Sequence, residues 1–232
     1  DSEDELFAIN EIAKEKGITQ KILLRVTPGI DTHTHQKIQT GNVDSKFGIA
    51  ISTGQAEETT EKILNLSNIK LCGFHCHIGS QIFESEPFAT ASELMLAFTQ
   101  KIEKNLGFKA EILNLGGGFG VKYTEDQPDI CYTEKIEEVA NILKKQCDAL
   151  QMEMPKIAME PGRSIVADAG MTIYTVGSVK EITGYKNYVS VDGGMTDNPR
   201  YTLYESPYTV MLASRANDQK DFCATIAGRC CE

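Results

Sequence analysis

The chain has 232 residues, 41% of them hydrophobic, which is enough for a packed core. Its 23 Lys and Arg against 33 Asp and Glu leave a formal charge of −10, which excludes a phosphate-tracking nucleic-acid surface. No apolar run approaches the ~20 residues of a membrane span and no leader-like stretch opens the sequence, so a cytoplasmic protein is expected. Seven cysteines, an odd and scattered set, point to free thiols rather than a disulfide framework.

An acidic amphipathic helix is expected over Glu3 to Lys16, closed by Gly17 and followed by a strand over Lys21 to Val26. A helix over Gln55 to Leu66 leads into a strand over Ile69 to Phe74. A long helix from Phe88 to Leu106, ended by Gly107, leads into a strand over Glu111 to Leu115. A helix over Tyr132 to Leu150 precedes a strand over Lys156 to Met159. Strand starts recur roughly every 45 residues with a helix between, which implies parallel pairing through right-handed crossovers. A doubly wound sheet and part of a (β/α)8 barrel both satisfy this rhythm.

After Arg163 the pattern changes. Met171 to Ile182 and Tyr188 to Asp192 are rich in β-branched residues and broken by Gly and Asn, with no long helical period. The expected organisation is α/β: a partial barrel over residues 1–165 and the beginning of a β-rich C-terminal domain over residues 166–232. Four βα units cannot close an eight-stranded barrel, and both ends look cut, so the sequence is expected to come from the middle of a longer protein.

The chemistry-bearing residues cluster at the ends of the expected strands. Met159-Glu160-Pro161-Gly162-Arg163 sets a carboxylate and a guanidinium three residues apart around a Pro-Gly turn. Leu113-Asn114-Leu115-Gly116-Gly117-Gly118-Phe119-Gly120 ends another strand in a glycine loop, whose bare N–H groups suit an anion to which an arginine can add a bidentate contact. Together they describe a pocket for a phosphorylated cofactor whose far end needs a carboxylate. Blander readings exist for each: a plain strand-to-helix turn at the glycines, and a structural ion pair between Glu160 and Arg163. The pair His75 and His77 at a strand end also suits a metal-dependent barrel hydrolase, but the chain has only four histidines. The other two, His33 and His35, lie in a loop.

Five runs occur in a recognisable order: His75-Cys76-His77-Ile78-Gly79-Ser80-Gln81, Gly116-Gly117-Gly118-Phe119, Glu160-Pro161-Gly162-Arg163, Asp192-Gly193-Gly194-Met195 and Cys231-Glu232. In that order the chain resembles the pyridoxal-phosphate decarboxylases of the alanine-racemase-like fold over nearly its whole length. The Asp192 run, with Asn198-Pro199-Arg200 and the Cys-Glu pair, is similar to the diaminopimelate branch more narrowly.

The resemblance implies pyridoxal 5'-phosphate as cofactor. It implies that His77 stacks on the cofactor ring, that Ser80 and Gly116, Gly117 and Gly118 bind the phosphate with Arg163 beside them, and that Glu160, followed by Pro161 and Gly162, faces the pyridine nitrogen. Arg163, Arg200 and Tyr204 would hold the far carboxylate of the substrate, Glu232 its distal ammonium, and Cys231 would donate a proton in the active site of a partner subunit. The implied reaction is decarboxylation of meso-2,6-diaminopimelate to L-lysine by a homodimeric parent protein with shared sites.

Alternatives within the fold are carboxynorspermidine, ornithine and arginine decarboxylases. A non-catalytic relative is disfavoured by the joint presence of Glu160, Arg163, Cys231 and Glu232. Taken singly, Cys231 also suits a small buried apolar residue, Arg200 and Tyr204 a packed turn, and Lys46 a helix cap or an interface contact. No lysine here matches the family's cofactor-bearing lysine, so these 232 residues alone are expected to be inactive.

Overall fold

The computed structural model describes residues 1–30 and 43–231. They divide into two compact units, one of residues 1–121 and 129–166, the other of residues 122–128 and 167–232.

The first unit is built on a parallel sheet. Helix α1 (Glu3–Glu15) starts at Ser2, whose hydroxyl accepts the Glu5 N–H, with three acidic residues complementing the dipole of its first turn. Strand β1 (Gln20–Thr27) follows, then the short β2 (Ile49–Ala50), helix α2 (Gln55–Leu64) and β3 (Ile69–His75). Helix α3 (Glu86–Leu106) carries Pro87 in its first turn and ends at Gly107, whose φ of 66° closes the last turn in the left-handed region. Strand β4 (Ile112–Asn114), helix α4 (Tyr132–Leu150), β5 (Lys156–Ala158) and the one-turn α5 (Arg163–Val166) complete the unit.

The sheet order is β2-β1-β3-β4-β5, and every pairing is parallel. From β1 through β3 and β4 to β5, each crossover steps to the next neighbour in one direction, with α2, α3 and α4 as the connections. Right-handed crossovers that step one way among β1, β3, β4 and β5 put all three helices on one face, as in the arc of a barrel; β2, paired on the other side of β1, lies outside that progression.

The register gives each face of the sheet its character. Leu24, Phe74, Leu113 and Ile157 form one cross-strand row. Phe74 is fully buried and meets the rings of Phe98 on α3 and Phe108 edge-on at 4.9 and 6.0 Å. This is the helix-facing side, and with Met95, Leu96, Ile102, Val139 and Leu143 it makes the core. The neighbouring row is Arg25, His75, Asn114 and Ala158, on the opposite face because side chains alternate along a strand.

In the second unit, β6 (Val176–Glu181) pairs antiparallel with β7 (Asn187–Val191), which pairs parallel with β8 (Thr225–Ala227). A 3-10 turn at Ala167–Ala169 and helix α6 (Arg200–Tyr204) complete it. Residues 122–128 belong here too: Thr209 Oγ1 donates to the Tyr123 carbonyl at 2.7 Å, and the Tyr123 and Tyr208 rings lie 5.4 Å apart.

Four expectations meet a different structure. The first unit has a fifth strand, because Ile49–Ala50 is too short for any periodicity to reveal. The Gln55 helix ends at Leu64, two residues early, with Asn65 as its cap. The compact units break at Val166/Ala167, beside the expected division into 1–165 and 166–232, and differ from it in that residues 122–128 group with the second unit through long-range contacts that local sequence does not encode. Lys46 caps no helix; its ammonium lies 5.0 Å from the Phe47 ring centroid.

Candidate active site

The functional residues of the first unit collect where its parallel strands end, and the backbone ladder continues past the strands to hold them. Cys76 N–H donates to the Asn114 carbonyl (2.9 Å), Leu115 N–H to the Ala158 carbonyl (3.0 Å) and Glu160 N–H to the Gly116 carbonyl (2.8 Å). Two residues beyond the row of Arg25, His75 and Asn114, alternation therefore brings His77, Gly116 and Glu160 to the same side.

Glu160 is oriented by a neighbour. Asn114 Nδ2 donates to Glu160 Oε1 at 2.8 Å, while Asn114 Oδ1 accepts the Gly116 N–H at 2.9 Å. The other carboxylate oxygen, Oε2, lies 3.7 Å from His75 Nε2, beyond hydrogen-bond reach, and that buried nitrogen has no partner among the described residues. Burial pushes the His75 pKa below the ordinary 6.5, the Arg25 guanidinium pushes the same way, and Glu160 opposes both. His75 is therefore a neutral ring beside Glu160 and not half of a salt bridge.

His77 is fixed by the glycine loop. Gly117 N–H donates to His77 Nδ1 at 3.2 Å, so the neutral ring carries its proton on Nε2. Burial lowers its pKa too, helped by Arg25 and His75. Between the two histidines Cys76 points into the core, where burial pushes its thiol up to about 12 and leaves it inert at neutral pH.

All three glycines are required by space, and Gly116 and Gly118 also by their positive φ. A Cβ on Gly117 would sit 2.1 Å from the Glu160 carbonyl oxygen, and one on Gly116 would meet the Cys76 carbonyl at 2.5 Å and His77 Nδ1 at 2.9 Å. Gly118, at φ 112°, would meet the Gly79 carbonyl at 2.5 Å. With the Gly116 and Gly117 N–H groups bonded to Asn114 and His77, the Gly118 N–H is the one of the three that takes no partner among the described residues.

Arg163 opens α5, and its Nε donates to Ser80 Oγ at 3.2 Å across 83 residues of sequence. Pro161 lies against Gly117, and the Gly162 carbonyl accepts the Ile165 N–H at 3.2 Å, so the Pro-Gly pair turns the chain from β5 into α5.

These groups fit a pyridoxal phosphate. A guanidinium, a hydroxyl and an open backbone N–H suit the phosphate, and an exposed carboxylate held by an amide suits a protonated ring nitrogen. A neutral imidazole locked to the glycine loop suits the ring face.

Residues 1–167 match the family model described as "Pyridoxal-dependent decarboxylase, pyridoxal binding domain". The chain belongs to the pyridoxal-dependent decarboxylase family. Pyridoxal 5'-phosphate is the cofactor of this domain. The diaminopimelate decarboxylase of Bacillus methanolicus is 45% identical over 232 residues, all of this chain and 54% of the relative. That of Bacillus subtilis is 44% identical over 228 residues, covering 98% of this chain and 52% of the relative. The crystal structure of the M. jannaschii diaminopimelate decarboxylase with L-lysine matches with a TM-score of 0.83 at 34% identity, covering this chain entirely and 52% of that one. The chain thus spans about half the length of the curated relatives it matches.

The remaining expected residues belong to the second unit. Arg200 opens α6 with its guanidinium 5.1 Å from the Tyr204 ring centroid, and its buried Nε has no hydrogen-bond partner among the described residues. Cys231 is exposed and follows Cys230, whose Sγ lies 3.2 Å from where a Cβ on Gly194 would stand. Gly194 accepts the Asn198 N–H at 2.9 Å, and Asn198 Oδ1 accepts the Arg200 N–H at 3.3 Å, so the Asp192 run links the Cys230 and Arg200 segments. Glu232, His33 and His35 lie outside the described residues. No three His, Cys, Asp or Glu side chains cluster for a metal among the described residues, and no helix there is long and apolar enough to cross a membrane.

Sequence reasoning missed Asn114 and Arg25 and assigned His75 only to a rival metal site. A signal was present: with Arg25-Val26-Thr27-Pro28-Gly29, His75-Cys76-His77-Ile78-Gly79 and Asn114-Leu115-Gly116-Gly117-Gly118 aligned at their closing glycines, the polar residues fall in one row.

Proposed function

We propose that the parent protein decarboxylates meso-2,6-diaminopimelate to L-lysine, the final step of lysine biosynthesis. The observation that carries this is the joint arrangement of Glu160 on Asn114 and Arg163 on Ser80 at one set of strand ends, a carboxylate for one end of the cofactor and donors for the other. Pyridoxal 5'-phosphate, when bound, supplies the electron sink that lets an α-carboxylate leave as carbon dioxide.

The residues divide the remaining work. Glu160 would keep a proton on the ring nitrogen of the bound cofactor, and His77, its Nδ1 anchored to Gly117, would offer its imidazole to the ring face. Ser80, Arg163 and the Gly118 N–H take the phosphate; Gly116 and Gly117 build the loop that presents them, and Pro161 and Gly162 set the turn. Arg200 and Tyr204 hold the distal carboxylate of the substrate, and the Nε of Arg200, without a hydrogen-bond partner among the described residues, supports a second anionic group over the distal amine of ornithine or arginine. Cys231 delivers the proton that replaces the departed carboxyl group.

The barrel over residues 1–165 is completed by strands from the remaining half of the length seen in its relatives, and residues 166–232 begin a C-terminal β domain. The cofactor-bearing lysine comes from outside these residues, so they have no activity alone. The parent works as a homodimer in the cytoplasm, with Cys231 serving the partner's site.

Carbon dioxide release by the full-length parent with pyridoxal phosphate tests this on meso-diaminopimelate, ornithine, arginine and carboxynorspermidine. Release from diaminopimelate is the expected result. Release from another member alone overturns the substrate and keeps the cofactor site; no release and no cofactor absorbance overturns the site itself.

A further inference from the structure

The loop that carries Ser80 is fastened to the glycine loop by a side chain that imitates a strand. Gln81 sits at φ 63°, in the left-handed region that residues other than glycine rarely adopt. From there its amide meets the Val121 backbone twice: Nε2 donates to the Val121 carbonyl at 2.7 Å, and Oε1 accepts the Val121 N–H at 3.1 Å. One donor and one acceptor on a primary amide replace those of a neighbouring peptide unit. At the next residue the backbone takes over, with Ile82 N–H donating to the Gly118 carbonyl (3.0 Å) and Gly120 N–H donating to the Ile82 carbonyl (2.9 Å).

Gln81 and Ile82 are thereby locked onto residues 118–121 by four hydrogen bonds, and Ile82, only 1% exposed, seals the contact from below. A segment with glycine at Gly116, Gly117, Gly118 and Gly120 has unusual freedom to lose on ordering. The lock removes that freedom before any ligand arrives. It also fixes two groups flanking it, Ser80 immediately before Gln81 and the Gly118 N–H opposite Ile82.

We propose that Gln81 is a positioning residue for the cofactor phosphate: its clasp on Val121 holds Ser80 Oγ and the Gly118 N–H in register as donors to one anion. This rests on the reading above that Ser80, Gly118 and Arg163 take the phosphate. Gln81 touches no ligand itself; it acts by presenting a preordered cradle, so ordering the loop is no longer charged against binding.

The test uses the full-length apoprotein titrated with pyridoxal 5'-phosphate and, in parallel, with pyridoxal, which lacks the phosphate. Gln81→Leu removes both hydrogen bonds. Gln81→Gly removes them while suiting the left-handed backbone, and decides the matter if the leucine variant fails to fold. Affinity for pyridoxal phosphate is expected to fall about tenfold in each, with pyridoxal affinity changed less than about twofold. Equal weakening toward both ligands overturns the proposal in favour of a general structural role, and so does unchanged phosphate affinity. Ser80→Ala separates the two levels. If it abolishes the preference for the phosphorylated ligand while the Gln81 variants keep it, the phosphate reading stands and the role of Gln81 falls. If Ser80→Ala keeps that preference as well, both fall.

Discussion

Asn114 reaches Glu160 with one end of its side-chain amide and the glycine loop with the other, at 2.8 Å to Glu160 Oε1 and 2.9 Å from the Gly116 N–H. A single buried residue at the end of β4 therefore sets the carboxylate and the loop in fixed relation. Its position follows from the parallel register, in which Asn114 stands opposite Ala158, two residues before Glu160.

Asn114→Leu keeps the volume and removes both bonds. It leaves the buried Gly116 N–H without an acceptor and lets Glu160 swing. Leaving such a group unsatisfied costs about 1–3 kcal/mol. Urea unfolding of the full-length protein is expected to show a lower midpoint at unchanged slope, with slower decarboxylation. Wild-type behaviour in both assays would show that Glu160 is held by other means.

Four helix-and-strand pairs were legible from periodicity alone, because β1, β3, β4 and β5 are apolar runs between well-signalled helices such as α3, with Pro87 at its start and Gly107 at its end. Motif order exposed His77, the glycine loop, Glu160 and Arg163 for the same reason: each sits at a strand end marked by glycine or proline. Asn114, Arg25 and Gln81 escaped because their roles arise from register across strands 40 or more residues apart, as the Gln81–Val121 bonds illustrate. The two-residue β2 and the transfer of residues 122–128 to the second unit escaped because nothing local specifies either.

Gly117→Ala tests the closeness of β5 to the loop. The added methyl would stand 2.1 Å from the Glu160 carbonyl oxygen, a backbone atom that no rotamer change can move aside. Overpacking of this kind costs about 1–3 kcal/mol, and here it displaces Glu160 directly. Lower thermal stability and lost cofactor uptake by the full-length protein are expected. Gly170→Ala, whose methyl would meet nothing within 4 Å, serves as the stability control.

Phe74→Ala probes the core that fixes the strand ends. Phe74 is fully buried between Phe98 and Phe108, at ring distances of 4.9 and 6.0 Å. Its truncation is expected to lower the unfolding free energy of the full-length protein by about 3–5 kcal/mol, measured by denaturant titration. A loss below about 1 kcal/mol would mean that the helices close over the vacancy.

Acid should weaken the fold through His75 and His77. Burial lowers both pKa values below the ordinary 6.5, so the folded state favours the neutral rings. As the pH falls below 6.5, the unfolded chain takes up protons at these two positions before the folded chain does. Stability therefore rises with pH across this window. The contribution of the two histidines is fully present above the unfolded value and is lost as pH falls through the folded ones. Thermal midpoints of the full-length protein should drop between neutral pH and about pH 5, and the slope should flatten in His75→Gln and His77→Gln. An undiminished slope in both variants would place the acid sensitivity elsewhere in the molecule.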